Sequence, residues 1–350
     1  MKTNAKQFLK QLAMALKVVD KNSTLPILSC VVLDENGIHA TNLDVYMTVP
    51  LVCDFAAVVE GHRLYRVVKT LTKTENIEIV KSGDNSITVI YGKTKVKLYC
   101  SEKVEHFPQP HDGPISQIAT DVDATALGTA LKFTGNDELR PVMSGVWLSD
   151  EICATNAHYL YKDVKHKHLE EVDKGVIIPR TAVRVIAGNY FIDIERMGEM
   201  YARTELPGGI VVTWRTIDGR YPNYKAVWPN THLVQAWIDA ASLRAAVECA
   251  LVASDPSTHQ GRFEFKKVTG KDWSLDLRSE SDSESEFRTW IPVTADKPGI
   301  DQVTIGVNLK FLKMVLGCVK TERVCVSMNE PNKAITINDK FLLMPIMLND

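Results

Sequence analysis

At 350 residues, with 45% hydrophobic and 24% charged side chains, the chain has room for two or three domains and a large core of ordinary soluble composition. No run approaches the roughly 18 apolar residues of a membrane span, and the N-terminus spreads Lys2, Lys6, Lys10 and Lys17 through an amphipathic pattern with no apolar signal centre, so a cytoplasmic protein with no membrane partner is expected. The formal net charge of −2 neither demands nor excludes nucleic acid, because a basic patch can be offset by acid elsewhere.

Asn4 is placed to cap a first helix, with Gln7 positioned to close a capping box. Phe8, Leu9, Leu12, Leu16 and Val19 then recur at helical spacing, while Lys6, Lys10 and Lys17 fall off that stripe. After the polar loop Asp20-Lys-Asn-Ser-Thr24, residues Ile27 to Leu33 and Ile38 to Thr41 read as a hairpin around Asp34-Glu-Asn-Gly37. A further strand is expected from Tyr46 to Phe55. A second helix, about Arg63 to Leu71, sets Leu64, Val67, Val68 and Leu71 on one face and Arg63, Arg66 and Lys69 on the other. Three alternating strands, Ile77 to Val80, Ile87 to Tyr91 and Lys95 to Tyr99, lead to a close at His106-Phe-Pro108.

From there the order restarts. Asp123 caps a helix striped by Leu127, Ala130 and Leu131. The stretch Arg140 to Asn156 then repeats Leu25 to Asn42, one residue shorter in the turn: Pro141 matches Pro26, Ser144 matches Ser29, Leu148 matches Leu33, and Ala154-Thr-Asn156 matches Ala40-Thr-Asn42. Pro179 opens a helix with Val183 and Ile186 inward and Arg180 and Arg184 outward; strands follow near Tyr190 to Ile194, Met200 to Glu205 and Ile210 to Arg215, and Tyr221-Pro222 answers Phe107-Pro108. In a third pass Asp239 caps a helix carrying Leu243, Val247, Ala250 and Leu251, with a hairpin near Arg262 to Lys266 and Trp273 to Ser279. Asn308 starts the next helix, with Leu312, Val315 and Leu316 inward and Lys310, Lys313 and Lys320 outward. Val324 to Met328, Ala334 to Ile337 and Phe341 to Ile346 close as strands, so the C-terminus reads as a strand and not a tail. A repeat of this length is a small domain and not a solenoid unit. The expected division is 1–115, 116–232 and 233–350, with the copies expected to pack end to end.

Lys and Arg on one exposed helix face are usually just solvated. Their recurrence on the second helix of every copy points further, because a repeat array sets equivalent faces along one surface. Such a surface attracts phosphates without reading bases.

Thr24-Leu-Pro-Ile-Leu-Ser29, Ala40-Thr-Asn-Leu-Asp44, Asp218-Gly-Arg-Tyr-Pro222 and Met344-Pro-Ile-Met-Leu348 resemble, in order and across the chain, the bacterial DNA polymerase III beta subunit, the sliding clamp family. The resemblance implies an α+β fold of three tandem DNA-clamp domains, each with two helices backed by antiparallel sheets. As a head-to-tail homodimer they would close into a six-domain ring around double-stranded DNA, abolishing the edges a linear array leaves open. It implies a non-catalytic processivity factor without cofactor or metal. Its partners would be the replicative DNA polymerase, a clamp loader and other clamp-binding-motif proteins of replication and repair.

The resemblance also implies sites. A partner-peptide pocket between the second and third domains falls on Met143, Thr155, His158, Leu160, Pro222, Val227, Met344, Pro345 and Ile346, a soft methionine-bearing surface suited to many peptides. Met143, Leu160 and Val227 equally suit plain core, and His158 a satisfied structural histidine. DNA-facing positions are Lys21, Arg66, Lys69, Arg180, Arg184, Lys310 and Lys313, and the ring's seam sets Phe107 against Leu251 and Val252 of the other subunit, although Phe107 also suits an internal plug. Departures from the family pattern are Ala157-His-Tyr-Leu160 where it has Gly-His-Arg-Leu, Met347 in place of a penultimate Arg, and the added Asn349 and Asp350. The loop Lys21-Asn-Ser-Thr24 holds one Lys and no Arg where the family is basic.

An enzyme finds little support: there is no G-x-S-x-G elbow, P-loop, G-x-G-x-x-G opening a helix, or H-E-x-x-H. His166-Lys-His168 reads as a solvated loop, and Glu280-Ser-Asp-Ser-Glu-Ser-Glu286, lacking the spaced glycine of a calcium loop, as a strand edge or acidic turn. The seven cysteines form no C-x-x-C pair and favour buried free thiols over zinc or disulfides. The alternative to a DNA clamp is a protein-interaction scaffold that kept the clamp fold and lost DNA.

Overall fold

The structure, a computed structural model, describes residues 1–20, 23–71, 76–83, 85–137, 139–164, 166–168, 175–270, 272–281, 285–296 and 300–348, with backbone alone at His168 and Asp296. The described α-helices are α1 (Ala5–Ala15), α2 (Gly61–Thr70), α3 (Ala124–Ala130), α4 (Arg180–Ile186), α5 (Ala240–Ala253) and α6 (Leu309–Leu316), two in each sequence copy. Within each pair the helices pack together, α1 on α2, α3 on α4 and α5 on α6.

The expected caps start these helices. The Asn4 side-chain oxygen accepts from the Lys6 and Gln7 amides at 3.0 and 3.1 Å, Asp123 from Thr125 at 2.8 Å, Asp239 from Ser242 at 2.7 Å and Asn308 from Phe311 at 3.0 Å. Each supplies a partner that the first turn of a helix lacks and stabilises by about 1 kcal/mol. Phe8, Leu12 and Ala15 of α1 are fully buried, and α1 packs on the strands Gly37–Thr41 and Val45–Val49. In α2 only Leu64 and Val68 are fully buried, with Gly61 beneath; Val67 and Leu71 are half-buried and Arg66 and Lys69 exposed.

The chain forms two compact units. The first comprises Met1–Leu131, Ser144–Ile152 and Val164–Arg220, and the second Lys132–Met143, Cys153–Asp163 and the chain from Tyr221 on. In the first unit a four-stranded sheet runs Lys2–Asn4, Asn76–Lys81, Ser86–Tyr91, Thr94–Tyr99. A nine-stranded sheet runs Lys167–His168, Ile115–Asp123, Phe191–Met197, Tyr201–Leu206, Ile210–Arg215, Val45–Val49, Gly37–Thr41, Cys30–Asp34, Ala57–Glu60. The join between copies lies inside that sheet: Ile210–Arg215 of the second copy pairs with Val45–Val49 of the first, Thr213 opposite Tyr46. In the second unit Tyr159–Asp163 pairs with Phe341–Leu343 of the third copy, Tyr159 opposite Leu343, and the strands continue through Ile335–Ile337, Arg323–Met328, Val234–Asp239, Ser285–Asp296, Asp272–Ser281, Gln260–Thr269 and Gln302–Asn308.

Several expected boundaries move, each for a local reason. Pro26 and Pro141 start short 3-10 turns, Pro26–Ser29 and Pro141–Ser144, so the first hairpin strand begins at Cys30 and not Ile27. Pro50, which has no amide to donate, ends the strand expected to run to Phe55; it stops at Val49, and a separate strand Ala57–Glu60 follows. The turn Asp34 to Gly37 is made as expected: the Asp34 carboxylate accepts from Asn36 and Gly37 at 2.8 and 3.2 Å. Gly37 sits at φ 142°, where a Cβ would meet the Val49 carbonyl oxygen at 2.3 Å. The last strand ends at Leu343, and the segment after it is held by backbone contacts from Met344 to His158 and from Ile346 to Gly306.

Candidate functional site

The second copy's Thr155-Asn-Ala-His158 forms a tight corner at the end of the strand Ile152–Thr155. Ala157 has φ 77°, the left-handed conformation, and hydrogen bonds hold it there. The Thr155 hydroxyl donates to the Tyr159 carbonyl at 2.8 Å and accepts from the Ala157 amide at 3.1 Å, and the Asn156 side chain accepts from the His158 and Tyr159 amides at 3.0 and 3.1 Å. The first copy makes the same corner: Leu43 has φ 76°, the Thr41 hydroxyl donates to Val45 at 2.9 Å and accepts from Leu43 at 3.0 Å, and Asn42 accepts from Val45 at 2.8 Å. The shared Ala-Thr-Asn signature is therefore a hydrogen-bonding device, present twice.

Around the second corner the predicted pocket residues separate into supports and surface. Thr155 is 6% exposed, and its amide donates to the phenol oxygen of buried Tyr221 at 3.1 Å, which ties the corner to the Tyr221-Pro222 segment. Burial pushes the Tyr221 hydroxyl well above the usual phenol range, so it remains a neutral acceptor. Met143 and Leu160, 5% and 2% exposed, lie inside the packing. The exposed side chains are His158, Val227 at 50% and Met344 at 37%. Met344 is anchored by its backbone, its amide donating to the His158 carbonyl at 2.9 Å; Ile346 donates to the Gly306 carbonyl at 2.8 Å. Gly306 permits that approach, since a Cβ there would stand 2.2 Å from the Ile346 carbonyl oxygen. Pro222, Pro345 and Ile346 are half-buried and Met347 is 70% exposed.

Sequence reasoning missed the aromatic framework beneath this corner. Tyr159 meets Phe311 of α6 edge-on at 4.9 Å and buried Phe133 at 5.6 Å, and the His158 ring stacks over Phe311 at 6.0 Å. The Lys162 ammonium lies 4.2 Å from the Trp228 ring, and Lys340 pairs with the mostly buried Asp163 at 2.8 Å. The alternating run Tyr159-Leu-Tyr-Lys-Asp163 was the available signal.

Of the residues expected to face DNA, Lys21 lies outside the described residues. Arg66, Lys69, Arg184 and Lys310 are exposed and Arg180 is half-buried. Lys69 lies over the Tyr65 ring at 6.0 Å. Lys313 is exposed and paired with Glu248 of α5 at 3.2 Å, which offsets part of its charge. Arg244 of α5 instead turns inward, donating to the carbonyls of Leu316 and Val319 at 3.1 and 2.6 Å, and so caps the end of α6. Phe107 is 3% exposed, clustered with Cys30, Val32 and Val58, so nearly all its surface is spent as the internal plug. Val252, in the last turn of α5, is 88% exposed, and Leu251 half-buried. The acidic run falls partly outside the described residues, and its described ends pair antiparallel, Glu280 opposite Glu286. Among the described residues no three His, Cys, Asp or Glu side chains converge to hold a metal, and no helix is long and apolar enough to cross a membrane.

Residues 1–109 match the family model of the DNA polymerase III beta subunit, N-terminal domain. Along 97% of its length the chain aligns with 97% of the beta sliding clamp of Pseudomonas putida at 23% identity. Among solved structures it is similar to the DNA polymerase sliding clamp of Pseudomonas aeruginosa with ligand, at 21% identity, and to a sliding clamp of the same organism bound to griselimycin, at 20%. Both give a TM-score of 0.84 over 99% of each chain, which establishes a common fold. The first copy thus matches the N-terminal domain of the DNA polymerase III beta subunit family, beta sliding clamps align with the chain end to end at 23% identity, and the whole chain shares the fold of solved sliding clamps.

Proposed function

We propose that the chain is a non-catalytic DNA sliding clamp, acting in the cytoplasm as a homodimer of three tandem domains per subunit (1–115, 116–232 and 233–350). The ring encircles duplex DNA without reading its sequence and tethers the replicative polymerase, after a clamp loader has placed it. The observation that carries this reading is the threefold helix pair on a clamp fold, whose second helices α2, α4 and α6 keep Arg66, Lys69, Arg184 and Lys310 exposed. These charges act on phosphates across water over a Debye length of about 8 Å at physiological salt, so they guide the duplex without gripping it.

Partners dock at the corner near residues 155–158. His158, Val227 and Met344 offer exposed side chains there, and Thr155, Leu160 and Met143 support them. Met344 is flexible about its bonds and polarisable, and it stands on a backbone anchored to the His158 carbonyl, which suits a short peptide with one or two apolar anchors. Tethering makes rebinding of the polymerase intramolecular, and a weak peptide contact then supports processive synthesis. Val252 of one subunit's α5 meets the end of the first domain of the other, near Phe107.

The test is topological. Loaded onto nicked circular DNA, the protein is expected to stay through a gel-filtration run, and to run off once the circle is linearised. Equal retention on circles and linear DNA, or retention on neither, overturns enclosure; the second outcome favours the protein-interaction scaffold.

A further inference from the structure

We propose that Cys30 and Cys100 form a redox-modifiable pair, closed into a disulfide by low-molecular-weight disulfides of the glutathione class and reopened by thiols. The two residues are 70 positions apart in the first copy's sequence, yet their sulfurs lie 3.5 Å apart. Cys30 opens the strand Cys30–Asp34 of the nine-stranded sheet and is 3% exposed. Cys100 directly follows Thr94–Tyr99 of the four-stranded sheet and is half-buried, and its backbone is fixed by an amide donating to the Asn85 carbonyl at 3.0 Å. Around them Val32, Val58, Val104 and Phe107 form an apolar wall. A disulfide needs its sulfurs at about 2.0 Å, so closure asks for a shift of about 1.5 Å shared between two side chains. The bond would staple the two sheets of the first copy together.

The pair has the asymmetry that thiol exchange requires. The Cys30 thiol can donate to the Pro26 carbonyl at 3.6 Å or to the Cys100 sulfur. Donation to Cys100 stabilises that residue's thiolate and brings its pKa down to about 7, while the same contact and burial push Cys30 up. Cys100, the more accessible of the two, is therefore the attacking group and Cys30 the resolving one. In the first step the Cys100 thiolate attacks one sulfur of the small disulfide, whose S–S bond breaks to release one small thiolate and leave a mixed disulfide on Cys100. In the second, Cys30 gives its proton to the departing thiolate and its sulfur attacks the Cys100 sulfur, expelling the second small thiol. Two protein thiols are oxidised and one small disulfide is reduced to two thiols.

Burial raises the thiols of Cys53 and Cys318, and Cys249 is exposed. The reduced full-length protein would be incubated with oxidised glutathione and mapped by non-reducing peptide mass spectrometry. The expected product is a Cys30–Cys100 linked peptide, two hydrogens lighter than the reduced pair, that dithiothreitol reverses. Cys100→Ser should leave Cys30 unmodified. Cys30→Ser, provided its circular dichroism shows it folded, should accumulate a lasting glutathione adduct on Cys100. Wild-type protein that keeps glutathione on Cys100 beside a free Cys30 overturns the proposal. So does an unmodified Cys100 in protein whose Cys249 is fully modified, or a crosslink elsewhere and none here.

Discussion

Tyr221→Phe probes the hydrogen bond that fastens the corner proposed to bind partners to the neighbouring segment. The substitution keeps the ring and its edge contact with Tyr224 at 6.5 Å, so no cavity opens, and removes only the oxygen that accepts from the Thr155 amide at 3.1 Å. Thr155 is buried, and an amide left without a partner there costs about 1–3 kcal/mol. The cost falls on the corner first, because the Thr155 hydroxyl and the Asn156 side chain organise everything from Ala157 to Tyr159. Hydrogen exchange reads it directly: since 1.4 kcal/mol is tenfold in an equilibrium, the Thr155 amide should exchange about 5- to 150-fold faster. The urea midpoint of the transition that includes this corner should fall as well. Phe107, the counterpart of Tyr221, already lacks the hydroxyl and packs within its own apolar cluster, so the ring alone suffices as a plug. Unchanged exchange at Thr155 in a folded Tyr221→Phe protein would mean that water or a shifted carbonyl satisfies the amide, and the corner would then not depend on Tyr221.

Met344→Ala with Ile346→Ala removes two side chains and keeps the backbone anchors at His158 and Gly306, so fluorescence anisotropy should show polymerase-derived peptide binding abolished while the dimer persists; wild-type affinity would place docking elsewhere. Neutralising Arg66, Lys69, Arg180, Arg184, Lys310 and Lys313 together should flatten the salt dependence of DNA loading by roughly one unit of slope for each phosphate no longer neutralised, with the smallest share from Lys313 because of Glu248. Val252→Asp should shift the mass by light scattering from dimer to monomer, since a carboxylate replaces an apolar side chain that is 88% exposed in the single chain; an intact dimer removes Val252 from the seam. Burial alone would raise the Asp276 carboxyl, but hydrogen bonds from Arg288 and Arg278 overcome it and bring the pKa down to about 2. Its stabilisation is therefore complete above the ordinary carboxylate range and lost as pH falls through about 2. Asp276→Asn should cost about 1–2 kcal/mol at neutral pH, after discounting for the half-exposed guanidinium groups, and should flatten the acid limb of the stability profile.

Helices were legible because their signals are local. A cap such as Asn4, Asp123, Asp239 or Asn308 needs only the residues next to it, and the apolar stripes of α1 and α6 need only a few turns. Strands that rely on distant partners were not. Ile115–Asp123 carries a register irregularity against Phe191–Met197, and Asp121 turns to φ 56°, which breaks the alternation a sequence reader looks for. Ser285–Asp296 is largely exposed over its first half, and its pairings with Asp272–Ser281 and Val234–Asp239 make it a strand. At the candidate site, the residue types were visible but their division of labour was not. The apolar character of Met143 and Leu160 suits a pocket as well as a core, and only the structure shows that both are buried. The exposure of Met344 follows from the strand ending at Leu343, one residue before it.

The pairing of Ile210–Arg215 with Val45–Val49, and of Phe341–Leu343 with Tyr159–Asp163, makes the joint between copies a run of backbone hydrogen bonds rather than a tether. A protease that nicks the loop between the first two copies would therefore leave the pieces clasped, and they would separate only under denaturant. A single copy expressed alone would carry the opposite burden. Without Ile210–Arg215, the edge at Val45–Val49 stands open along its whole length, a template for the next molecule to pair with. Copy number in such a chain cannot drift one unit at a time without creating a sticky end, so gain or loss of a repeat has to be matched by a surface that closes the new edge.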